Sequence, residues 1–216
     1  MVHLWLNPSD QYPTLQPIYR KSKESLMLHH GFVVWFTGLP CSGKSTLAHL
    51  LDEELHRRAL KREILDGDEI RKRLTKGLGF SKEDRDENIR RIAFVAKLLS
   101  RNGIIAITAA ISPYRALRED ARTEIEQFVE IYVKCPLERC IARDVKGHYK
   151  RAMAGDIPTF TGISDPYEEP LHPELILETD KEDSKVSLQR VIDTLEALNY
   201  LPRNLATSSK GKEGWA

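Results

Sequence analysis

Cysteine is scarce in this chain: Cys41, Cys135 and Cys140 are the only three in 216 residues. An odd number without a Cys-x-x-Cys pair excludes an even disulfide framework and a structural zinc site, and it predicts a reducing, cytoplasmic setting. Net charge is almost absent as well. Lys and Arg number 33 against 32 Asp and Glu, leaving a formal charge of +1, so no global field recruits nucleic acid or a membrane surface. No apolar run approaches the roughly 20 residues a bilayer requires, and Asn7, Pro8, Ser9 and Asp10 break the short apolar start, so neither a membrane span nor a signal peptide is expected. Internal repeats and low-complexity tracts are missing too. What remains is a chain long enough for one domain with a full core, whose expected partner is a small molecule.

Against this plain background, Gly38-Leu39-Pro40-Cys41-Ser42-Gly43-Lys44-Ser45-Thr46 has the Gly-x-x-x-x-Gly-Lys-Ser spacing of a phosphate-binding loop. Its glycines let successive backbone N–H groups turn toward phosphate oxygens, Lys44 sets a cation against them, and the Ser45 hydroxyl can ligate Mg²⁺. The context fits. Phe32–Phe36 reads as a strand before the loop, and Leu47, Leu50, Leu51 and Leu55 recur at helical spacing after it. A nucleoside triphosphate is therefore the first ligand to consider.

Short apolar runs at Phe32–Phe36, Glu63–Leu65, Gly103–Ile111, Phe128–Val133 and Leu175–Leu177 alternate with longer amphipathic ones. This predicts an α/β fold of the P-loop type, with a parallel five-stranded sheet covered by helices on both faces. Ser81 is expected to cap a helix that Gly103 closes. Ser112-Pro113 reads as an N-cap with proline in the first helical position. A last helix is expected from about Asp183 to Leu198. Residues 1–30 read as an extension, 31–202 as the domain and 203–216 as a disordered tail. Between about 144 and 170 the apolar period fails while Gly, Pro and basic residues accumulate, which predicts a mobile lid.

A phosphate-binding loop names the donor and leaves the acceptor open. Asp66-Gly67-Asp68 follows the second strand, at the sheet edge where open α/β folds bind ligands. One of these carboxylates can orient a hydroxyl or take its proton, although Asp-Gly is also ordinary turn chemistry. Phe80 follows a Gly-x-Gly turn and precedes a cap, so it belongs to no helix stripe and can offer its face to a flat ring. Arg85 and Asn88 lie about one helical turn apart, able to meet an anion and a polar edge, or else to form part of a solvated, salt-bridged face.

Together these strings resemble the adenylylsulfate (APS) kinase family. The resemblance rests on the loop, Leu65-Asp66-Gly67-Asp68-x-x-Arg71, Gly79-Phe80-Ser81-x-x-Asp84-Arg85-x-Glu87-Asn88-Ile89-Arg90-Arg91, Ile111-Ser112-Pro113-Tyr114, and two strings in the lid: Arg143-Asp144-x-Lys146-Gly147-x-Tyr149 and Phe160-Thr161-Gly162-Ile163-Ser164-x-Pro166-Tyr167-Glu168. It implies transfer of the γ-phosphoryl of ATP, with Mg²⁺, to the ribose 3′-hydroxyl of adenosine 5′-phosphosulfate (APS). The products are 3′-phosphoadenylyl sulfate and ADP. On the donor side it places Gly38 to Thr46 and Arg143, with Lys44 catalytic and Ser45 on the metal. On the acceptor side it places Asp66, Asp68, Arg71, Phe80, Arg85, Asn88, Ile111, Ser112, Lys146 and Phe160. Asp68 would be the base or orienting group, and Phe80 and Phe160 would sandwich the adenine. Ser112 carries the family's phosphoserine label, yet direct in-line transfer needs no covalent intermediate. The expected assembly is a homo-oligomer, a dimer.

Pro40-Cys41 departs from the family's more frequent Ser followed by Gly or Ala, and His148 stands where an apolar residue is common. His148 and His172 are expected to face solvent. Another small-molecule kinase has no use for two aromatics at the acceptor, a non-catalytic sensor would show a damaged loop, and an ATPase acting on macromolecules would want an Asp-Glu pair where Ile104 to Ile111 ends in Ser-Pro.

Overall fold

The computed structural model describes residues 31–203, so the readings of residues 1–30 and of the tail from 204 onward lie outside the described residues. Five strands form one sheet: β1 (Val33–Thr37), β2 (Arg62–Asp66), β3 (Ile105–Ala109), β4 (Phe128–Lys134) and β5 (Leu175–Glu178), in the order β2-β3-β1-β4-β5. Every pairing is parallel. Parallel neighbours require crossovers, and the connecting helices cover both faces. These are α1 (Lys44–Arg57), α2 (Gly67–Lys72), α3 (Lys82–Arg101), α4 (Arg115–Glu124), α5 (Leu137–Arg143), α6 (His148–Met153) and α7 (Ser184–Ala197).

The two-residue period of β1 divides the core. Phe32, Val34 and Phe36 pack with Leu47, Leu51 and Leu55 of α1 and Val191, Ile192 and Leu195 of α7, whereas Val33 and Trp35 pack with Ile89, Ile92 and Ala96 of α3 and Leu117 and Ala121 of α4. Trp35 is fully buried, and its indole N–H donates to Ser112 Oγ at 3.0 Å. Truncating a side chain of this size costs about 3–5 kcal/mol. The apolar run that precedes the loop thus anchors the loop's first residue in the centre of the sheet.

Two local expectations need correction. Ser112 is no N-cap: α4 begins at Arg115 after Tyr114, and Ser112 sits at φ 42°, its hydroxyl accepting from Trp35 and donating to Ala110 O. Bonding to a buried indole outweighs capping. The stretch from 144 to 170 also holds the short helix α6, started by Asp144, whose carboxylate accepts the Tyr149 and Lys150 N–H groups. Its sequence carries little periodicity because six residues are too few to display one.

Candidate active site

The loop between β1 and α1 needs glycine at both ends. Gly38 has φ 151°, and a Cβ there would lie 2.4 Å from Val133 O, while Gly43 sits at φ 107° at the start of α1. Helix α1 has no side-chain cap and no acid in its first turn. Its free N–H groups and positive dipole end therefore make an anion site. Lys44 is buried, its ammonium donating to Gly38 O at 2.9 Å and Leu39 O at 2.6 Å. Burial pulls its pKa down to about 8, against the opposing fields of Cys140, Cys41, Asp66 and Asp68.

Asp66 ends β2 and caps α2, with Oδ1 accepting the Asp68 N–H at 2.9 Å and Oδ2 accepting Ser45 Oγ–H at 2.7 Å. That arrangement sets Asp66 on the phosphate-loop side of the cavity. Asp68, half-exposed, pairs with Lys146. This pairing raises the Lys146 pKa, chiefly through the hydrogen bond. Asp68 also acts electrostatically on both Lys44 and Arg71, and all three line one cavity. Ser45 and the two carboxylates offer hard oxygen donors, and Mg²⁺ typically takes one or two carboxylates and fills its remaining positions with water and phosphate oxygen. The donor set fits that ion.

The far half contains Arg71, Phe80, Arg85, Asn88 and Phe160. The Arg71 guanidinium lies 4.7 Å from the Phe80 ring centroid and donates to Gly79 O at 3.0 Å. Burial and the neighbouring Arg85 charge lower its pKa. Two cations that disfavour each other at a cavity wall suit an anionic ligand. Phe80 is 57% exposed, while Phe160 is 8% exposed and packs edge-on against Tyr149 at 5.0 Å. Asn88 is buried and accepts from Thr75 Oγ1 at 2.8 Å.

One cavity of about 760 Å³ is lined by Pro40, Cys41, Gly43 to Thr46, Asp66, Asp68, Arg71, Phe80, Arg85, Asn88, Ile111, Ser112, Arg143, Lys146 and Phe160. Of the candidate residues only Gly38, Leu39 and Ser42 fall outside its lining. His148 lines it as well, half-buried with its ring 6.4 Å from Phe160, and does not simply face solvent.

Thr179 and Arg118, which help position the site, escaped the sequence reading, whereas Arg143 was expected on the donor side. Arg143 clips the loop to the end of β5, donating to Thr179 O at 2.6 Å, while the Thr179 hydroxyl donates to Ser42 O at 2.7 Å. Arg118 is fully buried. It bonds Glu130 Oε1 at 2.7 Å, Ser112 O at 2.5 Å and Glu168 O at 2.7 Å, tying the end of the 144–170 stretch and the Ser112 bend to β4. Removing one partner of such a buried pair costs about 3–5 kcal/mol. Helical spacing puts Arg118 on the same stripe as Leu117 and Ala121, and an arginine on an apolar stripe was the available signal.

Comparison with known proteins agrees with this geometry. The adenylylsulphate kinase family profile matches residues 30–178. The adenylyl-sulfate kinase of a Picosynechococcus strain is 57% identical over 81% of this chain and 99% of its own. A probable bifunctional SAT/APS kinase of Sorangium cellulosum is 56% identical over 80% of this chain, which spans only 30% of that longer protein. The Mycobacterium tuberculosis APS kinase, solved with AMPPNP and APS, superposes with a TM-score of 0.75 at 43% identity, over 77% of this chain and 98% of that one. The chain therefore belongs to the adenylylsulphate kinase family.

Proposed function

We propose that this protein transfers the γ-phosphoryl of ATP to the ribose 3′-hydroxyl of adenosine 5′-phosphosulfate, releasing 3′-phosphoadenylyl sulfate and ADP. The observation that carries the reading is one cavity lined by the phosphate loop, a pair of arginines, two aromatics and Asp68, whose charge acts on both Lys44 and Arg71. Loop amides and Lys44 hold the β- and γ-phosphates, with Lys44 exchanging its loop carbonyls for phosphate oxygens. Mg²⁺ would be held by Ser45 and, through water, by Asp66, where it would neutralise charge on the phosphate oxygens. Arg71 and Arg85 take the phosphosulfate, Phe80 and Phe160 flank the adenine, and Asn88 meets a polar edge.

In transfer, the bond from the 3′-oxygen to the γ-phosphorus forms as the bond to the β-bridging oxygen breaks, and Asp68 orients the hydroxyl and takes its proton. Ser112 stays outside the bond changes. Its hydroxyl already serves Trp35 and Ala110, which leaves it a wall residue. Among the described residues no helix is long and apolar enough to cross a membrane, and the three thiols are unpaired, in keeping with a cytoplasmic enzyme. A dimer completes the reading, with Phe94 of α3, 58% exposed and outside the cavity lining, as a natural contact point. The decisive experiment offers Mg·ATP with APS beside a panel of other hydroxyl acceptors and looks for phosphorylated product. APS left untouched would overturn the assignment.

A further inference from the structure

Arg85 lines the cavity, yet its guanidinium is gripped by the arm of chain from Thr159 to Asp165. Nη1 donates to Thr161 Oγ1 at 3.0 Å and to Asp165 Oδ2 at 2.5 Å, and Nη2 donates to Thr159 O at 2.7 Å. Thr159 and Thr161 flank Phe160, so one cation fixes the chain on both sides of that ring. Asp165 ties the arm into a compact turn, its N–H donating to Phe160 O and its carbonyl accepting the Gly162 N–H at 2.8 Å. From a different element, Tyr114 Oη donates to both Asp165 oxygens, at 2.9 and 3.0 Å. The Arg85 and Asp165 side chains are only 8% and 13% exposed. A carboxylate buried beside a site for an anionic acceptor works against that acceptor's charge, so its place calls for a compensating role.

We propose that Asp165, steadied by Tyr114, is a positioning residue for the acceptor. It sets the direction of the Arg85 guanidinium and, through Thr159 and Thr161, the place of the Phe160 ring. Recognition of the anion and completion of the aromatic wall thereby become one event. Two of the five guanidinium N–H groups, one on Nε and one on Nη2, remain for the anion. The inference rests on the reading that Arg85 and Phe160 serve the acceptor.

Steady-state kinetics with each substrate varied in turn test it. Asp165→Asn is expected to raise the KM for APS about tenfold with the KM for ATP within about twofold, and Tyr114→Phe to raise the APS value roughly threefold. The double variant is expected to be no worse than Asp165→Asn alone, because both act through one carboxylate. An unchanged APS KM in a folded Asp165→Asn protein overturns the proposal, as does a parallel rise in both KM values, the mark of a merely structural role. Should Asp165→Asn fail to fold, Tyr114→Phe decides by the same criterion. Arg85→Lys and Phe160→Ala separate the two levels. If neither moves the APS KM, the acceptor assignment itself falls; if both raise it while Asp165→Asn does not, only the positioning role falls.

Discussion

The proposed donor and acceptor halves of the cavity are built on opposite plans. The donor half is one continuous stretch, Gly38 to Thr46, set between a fully buried strand and a helix whose leucines fill the core. The acceptor half is collected from the end of β2, the start of α3, the bend after β3 and the segment preceding β5, and polar contacts hold it together: Arg85 with Asp165, Arg118 with Glu130 and Glu168, and Lys146 with Asp68. A site for phosphate common to many enzymes can be rigid and local. A site for one particular acceptor must be assembled, and here part of it comes from the segment preceding β5.

The comparison breaks most sharply at Lys44. Replacing it with Ala is expected to lower kcat/KM about a thousandfold, because among the described residues no other buried cation donates to the loop. Loss of less than tenfold, measured with both substrates saturating in turn, would mean the helix N-terminus alone holds the phosphates. Asp68→Asn is expected to cost about a hundredfold or more in kcat while ATP binding, followed by calorimetry, stays near that of the parent. Near-normal turnover would remove Asp68 from the reaction and leave Lys146 without its purpose at the junction of the two halves.

The same contrast decides what could be read from sequence. The strands, their parallel arrangement and the loop were legible because each follows from patterns local in the chain: period two in β1, period 3.6 in α1 and α3, glycines at fixed offsets. The Ser81 cap was legible for the same reason. Ser112 was misread because a Ser-Pro pair obeys local capping rules, whereas its actual partner, Trp35, is 77 positions away. Asp165, Tyr114, Thr179 and Arg118 were invisible as site residues on similar grounds, since the bonds that tie them to the site reach far along the chain: Asp165 to Arg85 over 80 positions, Tyr114 to Asp165 over 51, Thr179 to Ser42 over 137 and Arg118 to Glu168 over 50. Asp66 was recognisable as a carboxylate at a strand end, but only the fold turns it toward Ser45.

Phe160→Ala probes the acceptor half alone. Loss of a stacked aromatic is worth roughly 1–3 kcal/mol per base, so the APS KM is expected to rise by about tenfold or more. ATP hydrolysis without acceptor is also expected to rise severalfold, as water enters beside Asp68. Unchanged hydrolysis would show that the ring recognises the acceptor without guarding the donor.

The finest test concerns pH and belongs to the donor half. Burial leaves Lys44 with a pKa of about 8, well below an ordinary lysine. Below that pH the free protein carries the cation and donor affinity should be flat. Above it the free protein has lost the proton, whereas phosphate oxygens in contact with Nζ favour the charged form, so binding must take a proton back. Affinity for a non-hydrolysable ATP analogue should therefore fall as pH rises through 8, by up to about tenfold per unit. Calorimetry at pH 8.5 in buffers of different ionisation heat should register net proton uptake, and Lys44→Arg should abolish it because arginine stays charged. The acceptor half supplies the contrast: its paired cations, Arg71 and Arg85, are guanidinium groups rather than a buried ammonium, so APS binding should show no such step.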